Sequence, residues 1–394
     1  MRKSLVCQTK VSYSGAVTAL AIADPRIAVH RSTLADGREL RYFDDADTVL
    51  PPGRAVDERE LAPRPATAEM RQDPLSGEWI SIAAARQHRV VLPPAELDPL
   101  APQSPGNPSE IPSRYDVAVF ENRSPAFGPA LAAPDVEPAA ALAAVREIGV
   151  ERTLPALGRC EVVCFSPEHE GSFGTQSVSR ARTVIEAWAH RTAELGALPG
   201  VQQVFPFENR GEAIGVTLGH PHGQIYAYPY VTPRTQRLLD AIATAGRGLV
   251  AEVVSRELDG PRVVLRGEHW SAYVPFAARW PIEVHLVPHR HVPDLAETSL
   301  AERDELAVLY RRLLRGVDAR YATPTPYIAA WHQAPVHEHR DEVRLTLQLT
   351  SPRRAADKLK FLAGSEAAMG AWIGDVPPEA QAEALRAAIE GVDA

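Results

Sequence analysis

Strand-like and helix-like stretches follow one another twice along this chain, in the same order. YDVAVFEN (115–122) and CEVVCFSPEH (160–169) are dense in β-branched and aromatic residues, which predicts strands. SRARTVIEAWAHRTAELG (179–196) spaces its apolar positions three and four apart and stops at a glycine, the pattern of an amphipathic helix. VQQVFPFENRGEAIGVTL (201–218) then leads into GHPHGQIY (219–226). The second half repeats this order. VVLRGEHWSAYVPFA (263–277) and IEVHLVPHRHVPDL (282–295) predict strands, SLAERDELAVLYRRLLRGVD (299–318) predicts a helix, and YIAAWH (327–332) and VRLTLQLTS (343–351) predict two more strands. In that register CFSPEH lies opposite HLVPHRH, and HPHGQ lies opposite Thr346–Thr350. The pattern predicts an internal duplication with one chemical centre, on the first copy, because the second has lost the imidazoles.

Between these units, LPPAELDPLAPQSPGNPSEIPS (92–113) is dense in proline and reads as a loop ordered by contact or mobile. The expected division is a disordered leader over 1–30, a first domain over 31–245 and a second over 246–394. The leader imitates a signal peptide, but Gln8 and Lys10 interrupt its apolar run. No run approaches the ~18–20 apolar residues of a membrane helix.

Composition narrows the partners. The formal net charge is −8 over 394 residues, which disfavours general adhesion to nucleic acid and leaves room for a compact cationic pocket. Only four lysines occur among the 42 basic residues, so arginine richness carries little meaning here while Lys360 stands out. Cys7, Cys160 and Cys164 are an odd, sparse set that suits a reducing compartment and a cytoplasmic protein.

GHPHGQIY carries the candidate chemistry. As a strand it sends His220, His222 and Gln224 to one side, and Pro221, which cannot donate to a ladder, marks a sheet edge or a strand end. Two adjacent imidazoles can bind a metal, attack a phosphorus, or divide those tasks. His222 taken as the nucleophile forms a phosphoramidate. Gln224 donates a hydrogen bond without titrating, which favours transfer over hydrolysis. Upstream, Gly215 and Gly219 allow close backbone approach and Thr217 offers a hydroxyl to a phosphate oxygen. His169 at the FSPEH turn, His220 and Asp98 of the proline-rich loop are the candidate metal ligands. His285, His289 and His291, like His337 and His339, read as surface or turn histidines.

GHPHGQIY, preceded by FENRGEAIG and CFSPEH, resembles the galactose-1-phosphate uridylyltransferase family of the histidine-triad superfamily, with the likeness running from about Asp73 to Glu366. The resemblance implies an α+β fold of two histidine-triad-like halves, mainly antiparallel sheet flanked by helices. It also implies a homodimer whose active site is shared between subunits. The implied activity moves UMP from UDP-glucose to galactose 1-phosphate, by way of the histidine matched by His222. Gln224 and Thr217 match phosphoryl contacts, within the Gly215–Val216–Thr217 cradle. Arg86, Arg89, Asn122 and Asn209 match nucleotide and phosphate contacts, and Lys360, Phe361 and Glu366 match contacts from the closing segment. Asp98-Pro-Leu-Ala101 stands where zinc-bearing members have Cys-x-x-Cys, so only His169 and His220 of that ligand set persist. Thr346 and Gln348 stand where iron-bearing members have histidines, leaving His332, and no iron is expected. Trp372 replaces a sugar-contacting glutamine.

Overall fold

The computed structural model describes residues 23–88, 92–129 and 146–393. The first half supplies β1 (Val29–Thr33), β2 (Glu39–Phe43), β3 (Glu69–Gln72), β4 (Trp79–Ile82), β5 (Val117–Glu121), β6 (Arg146–Ile148), β7 (Glu151–Pro155), β8 (Arg159–Cys164), β9 (Gln203–Arg210) and β10 (His222–Tyr228). The second supplies β11 (Val263–Arg266), β12 (Trp270–Tyr273), β13 (Ile282–Pro288), β14 (Tyr327–His332), β15 (Thr346–Ser351), β16 (Arg353–Ala355) and β17 (Lys358–Leu359). The helices are α1 (Val178–Gly196), α2 (Pro233–Ala245), α3 (Leu249–Leu258), α4 (Leu300–Ala319), α5 (Gly364–Met369) and α6 (Pro378–Asp393).

Eleven strands form one antiparallel sheet in the order β1-β2-β5-β8-β10-β9-β14-β15-β13-β12-β11. Outward from the β9–β14 seam the two halves mirror each other: β10, β8, β5 and β2 on one side answer β15, β13, β12 and β11 on the other. The duplication extends to capping. α1 and α4 each follow a short 3-10 turn, and each starts on a serine whose hydroxyl accepts a helix N–H, Ser177 from Arg180 and Ser299 from Glu302. Glu302 returns the bond to the Ser299 N–H at 2.7 Å, completing a capping box.

Both helices cover one face of the sheet. Val163, Ile225, Val284, Leu347 and Trp331 from the strands, with Phe165 just past β8, meet Phe173, Trp188, Leu306 and Tyr310 in one buried cluster. Each large side chain buried there contributes roughly 1.5–3 kcal/mol, which fixes the faces of the strands. The face of β10 turned away from these helices carries His222, Gln224, Tyr226 and Tyr228, half-buried, while the alternate Gly223, Ile225 and Ala227 are buried. A smaller sheet, β4-β3-β7-β6, and the proline-rich loop complete the structure around the first half.

The edge alternative for Pro221 does not hold. β10 lies between β8 and β9 in the sheet interior, so the proline instead marks the strand end, immediately before His222. The proline-rich loop is ordered by contact: a 3-10 turn at Ala95–Leu97 and bridges between Pro102 and Ile111 and between Ser104 and Asn107 fold it onto itself. Residues 1–22 of the expected leader lie outside the described residues, whereas Val29 and His30 already belong to β1. Among the described residues no helix is long and apolar enough to cross a membrane.

Candidate active site

His222 opens β10 with its ring on the uncovered face. Its Nδ1 lies 2.7 Å from the His220 backbone carbonyl oxygen. A carbonyl only accepts, so Nδ1 holds the proton and Nε2 keeps its lone pair. Burial lowers the His222 pKa and outweighs the hydrogen bond to the His220 carbonyl, which acts in the opposite sense, and this favours the neutral ring that a nucleophile requires.

Gly223, between His222 and Gln224, is forced by packing. A Cβ there would sit 2.9 Å from Phe165 Cζ and 2.9 Å from the Phe207 carbonyl oxygen. The strand therefore approaches β9 and the aromatic core more closely than any other residue permits. Gly215 has a different reason: at φ 83° it closes the 3-10 turn Glu212–Ile214 in the left-handed region. Val216 and Thr217 follow, half-buried, and the Thr217 carbonyl accepts the Leu92 N–H at 2.7 Å.

A cleft of about 240 Å³ runs along this face and brings together His222, Gln224, Thr217 and Asn122. Its floor includes Phe120 and Val162, paired across β5 and β8. Asn209 lies on β9 two residues past Phe207, which is paired with Gln224, and so shares the face. Arg86, in the turn Ala84–His88, reaches the Tyr226 hydroxyl at 3.5 Å, on the same face of β10. Arg89 lies outside the described residues. Arg38, Glu110, Arg123 and Ser124 also line the cleft, and these the sequence reading did not single out. Arg123 and Ser124 directly follow Phe-Glu-Asn and were within reach of it, but Arg38 precedes the stretch that carries the resemblance and had no such signal.

Lys360, Phe361 and Glu366 are not in this cleft. Lys360 and Phe361 line a separate cavity with Ala213, Ile214 and Trp280. The Lys360 ammonium is bound by Glu366 Oε1 at 2.8 Å and the Arg279 carbonyl at 2.9 Å, and lies over the rings of Trp280 and Trp372. Phe361 is 79% exposed, so an aromatic ring is presented outward.

His220 is buried one step behind the nucleophile. Asp98 Oδ2 lies 2.6 Å from His220 Nδ1 and 2.8 Å from His169 Nδ1. Burial alone would raise the Asp98 pKa, but the two histidines outweigh it and bring the carboxyl down to about 2. His220 Nε2 faces the Ser166 carbonyl at 2.7 Å and so carries a proton. A neutral His220 then has only a lone pair at Nδ1, facing a carboxylate oxygen. Either a second proton or a cation must lie between them, and the donor set is one that a metal ion fits. Among the described residues this is the one group of three such side chains with donor atoms within 4.8 Å.

In the second half, Gln348 occupies the place of His222. Its amide bonds Glu283 Oε1 at 2.6 Å and its oxygen lies 3.2 Å from His332 Nε2. His289 and His291 face the Glu268 and Arg340 backbone carbonyls, and His339 pairs with Glu342; these are structural contacts.

Duplicated halves around an antiparallel sheet, with a proton-oriented imidazole facing a cleft, define a protein of the α+β class. Comparison with known proteins gives the family. The N-terminal domain of galactose-1-phosphate uridyl transferase matches residues 61–232, and its C-terminal domain matches 235–391. The chain belongs to the galactose-1-phosphate uridylyltransferase family. It is 44% identical over 374 residues to a galactose-1-phosphate uridylyltransferase of Streptomyces lividans, covering 90% of this chain and 96% of that one. A Thermotoga maritima protein of the same name is 33% identical over 326 residues, covering 81% and 98%. A solved uridylyltransferase structure superposes with a TM-score of 0.71 at 29% identity, covering 82% and 99%.

Proposed function

We propose that this protein transfers UMP from UDP-glucose to galactose 1-phosphate through a covalent uridylyl-histidine at His222. Nε2 attacks the α-phosphorus, the bond to the bridging oxygen breaks, and glucose 1-phosphate leaves. A phosphate oxygen of galactose 1-phosphate then displaces His222, and UDP-galactose departs. The observation that carries this reading is the 2.7 Å contact between His222 Nδ1 and the His220 carbonyl, because it aims the unprotonated nitrogen into the cleft. Gln224 donates to a phosphoryl oxygen and cannot activate water. The Gly215–Val216–Thr217 segment and Asn209 supply further phosphate contacts, Asn122 contacts the uridine, and Arg86 and Arg89 balance the diphosphate charge.

Asp98, His169 and His220 would hold a zinc ion, whose borderline-soft character suits two imidazoles and a carboxylate. When bound, the ion supplies fixation: it ties the proline-rich loop to the backbone of His220, whose carbonyl orients the nucleophile. The active assembly in this reading is a homodimer in which the closing segment of Lys360, Phe361 and Glu366 meets the other subunit's site. The outward Phe361 supports that arrangement. Buried free thiols at Cys160 and Cys164 suit a cytoplasmic enzyme.

The test is incubation with α-labelled UDP-glucose and no acceptor. Acid-labile protein-bound label that galactose 1-phosphate discharges supports the transferase. Label from ADP-glucose but not UDP-glucose assigns a related nucleotidyltransferase instead.

A further inference from the structure

The cleft has a wall that the proposed transfer does not use. Two strand steps from β10 to β5 cover roughly 9.6 Å, at about 4.8 Å per strand, about the length from the phosphorus of a nucleoside monophosphate to the far edge of a pyrimidine. A nucleotide bonded to His222 and laid across the sheet therefore places its base over Val162 and Phe120, with Leu100 beside it. The next strand is β2. Leu40 pairs with Phe120 in that register, so Arg38, two residues earlier, falls level with Asn122 at the outer end of the cleft. There it meets Glu110 from the proline-rich loop.

Arg38 itself is fully buried. It donates to Asp36, to the Glu121 backbone carbonyl at 3.0 Å and to Glu110 Oε2 at 2.6 Å. Arg59 adds a second donor to the same Glu110 oxygen at 3.3 Å. Among the described residues, Glu110 Oε1 accepts no hydrogen bond, and the side chain keeps 20% of its exposure where it lines the cleft. The wall thus offers one acceptor oxygen on a carboxylate whose other oxygen is held by two guanidinium groups, which also bind Asp36 and Asp57. Of the groups on a uracil edge, only the imide N3–H donates.

We propose that Glu110 reads the uracil N3–H as a specificity-determining residue, and that Arg38 positions it. Neither belongs to the motifs that carry the family resemblance, and Arg38 precedes the region matched by the family. The inference rests on the uridylyl-transfer reading of the same cleft. The experiment is a cycle of protein and substrate changes: wild type and Glu110→Gln, each with UDP-glucose and its N3-methyl analogue, read as the single-turnover rate constant of His222 adduct formation over substrate concentration. In Glu110→Gln the amide oxygen keeps Arg38 and the NH2 turns to the cleft, so buried Arg38 retains a partner and folding is preserved. Loss of one charged hydrogen bond predicts about a 10- to 100-fold fall for Glu110→Gln on UDP-glucose, a similar fall for wild type on the N3-methyl analogue, and no further fall when the two are combined. Independent, multiplying losses would overturn the contact. So would coupling to 2′-deoxy- or 3′-deoxyribose substrates in place of the N3-methyl one, which assigns the carboxylate to the ribose. Absence of any adduct in wild type with UDP-glucose would instead mark failure of the uridylyl-transfer reading. Arg38→Lys, which keeps charge but loses the two-sided grip, is expected to lower the wild-type preference for UDP-glucose over its N3-methyl analogue. An unaltered preference would remove Arg38 from the account.

Discussion

Adding one methyl group to Gly223 tests how tightly the sheet positions the nucleophile. Gly223→Ala places a Cβ 2.9 Å from two atoms. One is the ring edge of Phe165, wedged edge-on against Phe173 and Trp188; the other is the Phe207 carbonyl oxygen of β9, a backbone atom that cannot rotate away. Ordinary contact requires about half an ångström more, so β10 must shift away from β9 or Phe165 must leave its rotamer. Overpacking of that kind costs about 1–3 kcal/mol. His222 and Gln224 flank the substituted residue and move with it, and a displacement of the order of 1 Å costs roughly 100-fold in a positioned reaction. Urea unfolding measures the first quantity, and the single-turnover rate of adduct formation from UDP-glucose measures the second. A variant with unchanged midpoint and unchanged rate would refute the reasoning that this glycine sets the position of the site.

Three further outcomes follow from the same structure. Glu208 is fully buried among Tyr310 and Tyr327, and burial raises its pKa to about 7 from 4.5. The folded state therefore holds a proton that the unfolded chain releases between those values. Stability is full below pH 4.5 and falls as pH rises to 7, by about 3 kcal/mol at most; Glu208→Gln should flatten this dependence, and an unchanged profile from urea midpoints would contradict it. Chelation, or Asp98→Ala, should release about one equivalent of zinc as read by atomic absorption and lower the melting temperature; a protein purified from zinc-containing medium with no metal would reject the Asp98–His169–His220 site. Subunits carrying His222→Gly, mixed with subunits carrying Phe361→Ala, should regain transfer activity above either parent if the closing segment serves the other subunit; no recovery on mixing would place each site within one chain.

The repeated order of strand and helix patterns was enough to anticipate the palindromic sheet, because both copies kept the apolar periodicity that packs against α1 and α4. Ser177 and Ser299, each starting a helix after a 3-10 turn, show the same duplication at the level of single hydrogen bonds. The shared face of His222 and Gln224 was legible for a local reason: both stand on one strand whose alternation fixes their side, whereas Asn122 entered only through the family resemblance. β1 and β2 were not, since VHRST and ELRYF have little apolar periodicity, and it is pairing of β2 to β5, and of β1 to β2, that makes them strands. Arg38 and Glu110 escaped notice on the same account. Their neighbours are set by the fold of a proline-rich loop against a sheet edge, over 72 residues of separation, and no local pattern encodes that. The interior position of β10 was hidden likewise, because Pro221 is compatible with an edge and with a strand end.

The central claim is that His222 carries the nucleotide. Intact-mass measurement of the denatured protein after UDP-glucose, followed by mapping of the peptide that contains residues 219–226, tests it most directly. The account predicts one added uridylyl group per chain on His222, lost on addition of galactose 1-phosphate and absent in a folded His222→Gly variant. Full adduct formation in that variant, or a uridylyl group mapped to any other residue, would contradict it.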